Sequence, residues 1–146
     1  MAKISFYCSD IPNTPVSNRR ILRSFISVLF KEESKLLSSL SFVFTSDDYL
    51  LKMNQKHLKH NFYTDIITFN LSDNQDEIVA EIYISVERVR ENAKVHGTTL
   101  KKEILRVIFH GVLHLCGYRD KKKSEITIMR QKEDGYLRLF EEQLKK

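Results

Sequence analysis

Residues 3–8, KISFYC, alternate apolar and polar side chains, the period-two pattern of a strand buried on one face. The period then changes. Ile21, Leu22, Phe25, Ile26, Val28 and Leu29 fall on one broad face and predict a helix over about 17–31. LSFVFTS (40–46) returns to a strand pattern, and Ser46 or Asp47 suits the N-cap of a helix through DDYLLKMNQKHL, with Leu50, Leu51, Met53 and Leu58 turned inward. DIITFNLS (65–72) and IVAEIYIS (78–85) are rich in β-branched and aromatic residues and read as paired strands around a DNQDE turn. Ser85 caps VERVRENAKVHG, and Gly97 fits the position just past that helix. Thr98 or Thr99 opens a helix through LKKEILRVIFHGVLHLCG. Ser124 opens a last helix, with Ile126, Met129, Tyr136, Leu137 and Phe140 as its apolar stripe.

The order β-α-β-α-β-β-α-α-α predicts an α/β fold: a small mixed sheet of about four strands packed with about five helices. Composition agrees. A chain of 146 residues, 42% hydrophobic and 29% charged, is expected to be one soluble globular domain spanning residues 1–146. No apolar run reaches the roughly 18 residues of a membrane span, and MAKISFYCSD has no secretory character, so no membrane partner is expected. Cys8 and Cys116 are too few for a disulfide framework and read as reduced thiols of a cytoplasmic chain. The net charge of +5 favours a polyanionic partner, nucleic acid first. Its lysines cluster at 52–60 and in RDKKK (119–123).

The second cluster abuts HGVLHLCGYRD (110–120). On a helix, His110 and His114 stand one turn apart on one face, a common way of offering two imidazoles to zinc. Gly117 suits the left-handed end of the helix, after which the chain can return Asp120 to the histidine face. Three protein ligands would leave a fourth tetrahedral position for water, the mark of a catalytic zinc. The same residues also fit two hydrogen-bonded histidines on a partly buried helix with an ordinary glycine cap. Cys116 is a further candidate ligand, although a buried thiol is the simpler reading. Zincin peptidases share this spacing but carry their general base directly after the first histidine. Gly111 occupies that position here, so peptidase chemistry lacks its base.

The segment resembles the metal motif of the YbeY family of endoribonucleases, approximately HGxLHLxGYDH, matched in place by His110, Gly111, Leu113, His114, Leu115, Gly117 and Tyr118. LKMNQKHLKHNFYTDIITF is similar to the family's LN…TDVLSF segment, with Asn54 ten residues before Thr64, and AEIYIS (80–85) to its GDIxIS strand, with Ala80 and Glu81 replacing Gly and Asp. The resemblance implies an α/β domain, one zinc ion and cleavage of single-stranded RNA in ribosomal RNA processing, with the ribosome or its small-subunit precursor as partner.

Two departures bear on the chemistry. The family's third histidine falls on Asp120 and the preceding Asp on Arg119. Aspartate can still ligate, giving His110, His114 and Asp120 as the metal set, but its charge should leave the bound water less acidic than three imidazoles would. A guanidinium has no lone pair to offer a metal. The family's arginine four residues after the Asn falls on Leu58, with Lys59 adjacent as a point charge. Lys59, Arg119 and Lys121 are the expected substrate-binding cations; His57 and His60 read as surface residues. Thr64 and Asp65 suit a turn before a strand, although either could touch substrate. Glu103 could support a metal-bound histidine or be an exposed helix residue. No catalytic role is assigned beyond the metal-bound water. The leading expectation is a zinc-dependent, single-strand-specific endoribonuclease; the alternative is a non-catalytic RNA- or ribosome-binding assembly factor with a structural metal.

Overall fold

The computed structural model describes residues 2–60, 63–73 and 76–146. The elements are β1 (Lys3–Cys8), α1 (Arg19–Glu32), β2 (Leu37–Thr45), α2 (Asp47–Leu58), β3 (Ile66–Asn70), β4 (Ile78–Ser85), α3 (Val86–His96), α4 (Leu100–Leu115) and α5 (Lys123–Leu144). The predicted α/β class and mixed four-stranded sheet are both present. The sheet order is β1-β2-β4-β3, parallel except for the antiparallel β3/β4 pair. Part of the DNQDE turn that joins that pair lies outside the described residues.

Alternation sets the sheet's inner face. Ile4 and Phe6, Leu40, Phe42 and Phe44, and Ala80, Ile82 and Ile84 are all buried. Phe6 and Phe42 stack across β1 and β2 with centroids 5.3 Å apart. Helices α1, α4 and α5 are joined by an aromatic cluster in which Phe25 lies 5.5 Å from Phe109 and 5.1 Å from Phe140. At about 25 cal/mol per Å² of apolar surface, such rings dominate the energetics of a core this size.

Several boundaries move. β2 begins at Leu37 rather than residue 40 and carries an irregularity between Leu37 and Ser39. β3 stops at Asn70, short of the predicted residue 72. α1 starts at Arg19 because Asn18 adopts a left-handed φ of 55°. α5 starts at Lys123, not after a Ser124 cap; the Glu125 carboxylate accepts from the N–H groups of Lys121 (3.2 Å) and Lys122 (2.9 Å). Four residues expected on apolar helix faces are exposed: Ile21, Val28 (52%), Leu58 (41%) and Ile126 (47%), while Asn54 is buried in α2 beside Leu50.

Candidate metal centre

Helix α4 carries both histidines, and its own packing sets their direction. Thr99 caps the helix by accepting from the Lys102 N–H at 3.1 Å. Ile104, Ile108, Phe109, Val112 and Leu113 are buried. Gly111 faces the sheet: a Cβ there would lie 2.9 Å from the Cδ1 atoms of both Ile66 and Ile82. The residue that leaves a peptidase without its base is therefore also one that lets the helix pack tightly on the sheet.

His110 and His114 bring their Nε2 atoms within 3.1 Å of each other. The helix then ends in a Schellman motif. Gly117, at φ 106°, donates to the His114 carbonyl, and the Tyr118 N–H donates to the Leu113 carbonyl, both at 3.0 Å. This reversal returns Asp120, whose Oδ2 lies 3.2 Å from His110 Nε2 and 3.3 Å from His114 Nε2. One ligand atom from each residue lies within 4.8 Å of the others. Nitrogen and oxygen donors held about 2.0–2.1 Å from one tetrahedral ion are about 3.3 Å apart, so the three spacings fit a single small divalent ion.

Behind His110 stands a residue the sequence reading did not single out. Glu133, on α5 and only 4% exposed, accepts from His110 Nδ1–H at 2.5 Å. With its proton on Nδ1, the ring presents the Nε2 lone pair to the cluster. Arg106 holds the other Glu133 oxygen at 2.9 Å and reaches Asp134 at 2.6 Å. Burial opposes protonation of His110, but the hydrogen bond and charge of Glu133, followed by the charges of Asp120 and Asp65, raise its pKa above the ordinary value. A signal for Glu133 was present: it sits four residues after Met129 and four before Leu137, a carboxylate on the buried stripe of its helix.

Glu103 is not an exposed helix residue. It is 4% exposed and pairs with His96 Nδ1 at 3.2 Å, so the support for His110 comes from Glu133 instead. Asp65 shares a cavity of about 300 Å³ with His110, Asp120, Glu133, Arg106 and Arg130. Burial raises the Asp65 carboxyl, His110 opposes the shift, and Glu103 and Glu133 add to it. Thr64 keeps a turn role, its hydroxyl donating to the Ile66 carbonyl at 3.3 Å. Cys116 is buried outside the cluster; burial, then the charge of Glu33, pushes its thiol up to about 12, with Lys35 acting the other way. Arg119 and Lys121 flank Asp120 and are exposed. Lys59 is the exposed, left-handed C-cap of α2 (φ 56°) and does not line the cavity.

Fold and cluster together define a class: an α/β protein in which a helix-borne histidine pair meets a carboxylate from the following turn, the donor set of a mononuclear hydrolytic centre. The family model described as endoribonuclease YbeY matches residues 8–141, so this chain belongs to the YbeY family. It is 40% identical to the endoribonuclease YbeY of Cytophaga hutchinsonii over 92% of this chain and 94% of that protein. With the Porphyromonas gingivalis protein of the same name it shares 39% identity over 97% and 93% of the two chains. Its fold matches the solution structure of TM1509 from Thermotoga maritima with a TM-score of 0.59 and 26% identity, covering 99% of this chain and 92% of that one.

Proposed function

We propose that this protein is a zinc-dependent, single-strand-specific endoribonuclease of the cytoplasm, acting in ribosomal RNA processing and ribosome maturation. The observation that carries the reading is the convergence of His110 Nε2, His114 Nε2 and Asp120 Oδ2 at spacings suited to one ion, in a chain of the YbeY family. The relatives' shared name, endoribonuclease YbeY, supports the RNA substrate, and the net charge of +5 supports a polyanion. The ribosome or its small-subunit precursor is the partner this reading implies.

His110, His114 and Asp120 would hold one zinc ion, which when bound supplies Lewis acidity at a phosphoryl oxygen and lowers the pKa of water. The chain's own groups do the rest. Glu133 keeps the His110 proton on Nδ1, and Arg106 holds the Glu133 carboxylate in place through its other oxygen. Arg119 and Lys121, beside Asp120, attract the phosphates flanking the scissile bond, and Lys59 attracts the strand farther along. Their attraction is to backbone charge, so it confers affinity without sequence preference.

The test pairs metal content with cleavage of single- and double-stranded RNA. Wild type should carry one zinc per chain and cut the single strand. His114→Ala and Asp120→Ala should lose stoichiometric zinc and cleavage together while staying folded. Equal cleavage by His114→Ala and wild type would overturn metal catalysis. A zinc-loaded wild type that binds RNA and cuts none would replace this reading with that of a non-catalytic assembly factor.

A further inference from the structure

Of the three converging residues, Asp120 is the least constrained by its own element. The histidines belong to a sixteen-residue helix. Asp120 stands in the turn between α4 and α5 with 38% of its side chain exposed. Downstream, Glu125 ties down the N–H groups of Lys121 and Lys122. Upstream the restraint comes from far away in sequence. The Tyr118 hydroxyl donates to Glu33 Oε1 at 2.7 Å, and the Tyr136 hydroxyl donates to Glu33 Oε2. Lys132 lies 3.4 Å from that carboxylate and 5.6 Å from the centre of the Tyr118 ring. Glu33 is itself the C-cap of α1, so one carboxylate joins α1, α5 and the turn.

We propose that Tyr118 and Glu33 form a latch that positions Asp120 for metal binding, making both of them positioning residues of the metal centre. The inference rests on the metal centre proposed above. The Tyr118 ring already packs against the core, so the fold does not need its hydroxyl for burial. What the hydroxyl adds is a fixed azimuth for the start of the turn, two residues before the carboxylate that must arrive within a few tenths of an ångström of its place. A hydrogen bond to an ionised acceptor is the stronger kind and suits that task. Without it the turn samples positions in which Asp120 Oδ2 no longer meets both Nε2 atoms, and the helix pair alone holds the ion.

The test is a double-mutant cycle on metal affinity, with Co²⁺ as probe. Tyr118→Phe and Glu33→Ala should each weaken Co²⁺ binding about tenfold and alter the visible absorption band of the bound ion. Glu33→Gln, which keeps an acceptor for Tyr118, should bind within about threefold of wild type. In an Asp120→Ala background, Tyr118→Phe should add nothing further, because the residue it positions is gone. A purely structural tyrosine would weaken binding equally in both backgrounds, and that additivity overturns the latch. So does wild-type affinity and spectrum in both Tyr118→Phe and Glu33→Ala. If Tyr118→Phe folds poorly, the Glu33→Ala and Glu33→Gln pair decides by the same criterion. Wild type that binds no Co²⁺ or Zn²⁺ overturns the metal centre itself and the latch with it, a result distinct from a bound but unlatched ion.

Discussion

Glu133 and Gly111 act on the same helix turn from opposite sides. Glu133 is buried, and its bonds to His110 and Arg106 offset the cost of taking its polar oxygens out of water. Glu133→Gln should weaken zinc binding roughly tenfold, because the amide is a poorer acceptor for Nδ1–H and no longer opposes the Arg106 charge. Competition with a chromogenic chelator measures this, and Asp134→Asn, altering the exposed partner of Arg106, should leave zinc affinity near wild type. Gly111 shows how opposing terms settle a substitution. In Gly111→Ala the contact with the Ile66 and Ile82 methyls is offset by alanine's helix preference of about 1 kcal/mol, so stability should barely move. Gly111→Glu would instead bury a carboxylate against the sheet, costing more than about 3 kcal/mol in urea unfolding and conferring no peptidase activity.

At the scale of elements, capping side chains fix where the helices begin and tie them to one another. Ser85, fully buried, accepts from the Arg88 N–H at 3.1 Å to cap α3, and donates to Asp47 of α2 at 3.1 Å. Arg88 grips the same Asp47 at 2.5 Å. Ser85→Ala removes the cap and the hydroxyl bridge together and should cost about 2 kcal/mol, the upper end for a single N-cap, read from the urea midpoint. These caps were legible beforehand, because Ser or Thr followed by a change of hydrophobic period is a local signal. The shortened β3, by contrast, ends where a side chain takes over the ladder: the Leu71 N–H still donates to the Val79 carbonyl at 2.7 Å, but the Val79 N–H donates to the Ser72 hydroxyl at 2.9 Å.

For the whole molecule, Glu33 couples acid stability to the joining of α1, α5 and the turn. Burial raises its carboxyl, but the hydroxyls of Tyr136 and Tyr118, then Lys132, outweigh it and hold the pKa below the ordinary value of 4.5. A group depressed on folding contributes stability that is fully present above its unfolded pKa and lost as pH falls through the folded one. Stability should therefore decline below about pH 4.5, and Glu33→Gln should flatten that decline while lowering stability at neutral pH. Thermal melts at closely spaced pH values compare the two slopes.

The hydrophobic pattern alone determined the number, order and type of the elements, and HGVLHLCGYRD alone placed two histidines on one helix face with a carboxylate beyond a glycine stop. Both are properties of neighbouring residues, and the backbone repeats of 3.6 and 2 translate neighbour spacing directly into direction. Tertiary structure decided the strand order β1-β2-β4-β3, the return of Asp120 to both imidazoles, and the supports Glu133 and Glu33. The contacts made by Glu133 and Glu33 join residues 23 to 103 positions apart. No periodicity relates residues so far apart; only the packing of α1, α4 and α5 into one core brings a carboxylate on one helix to a histidine or tyrosine on another.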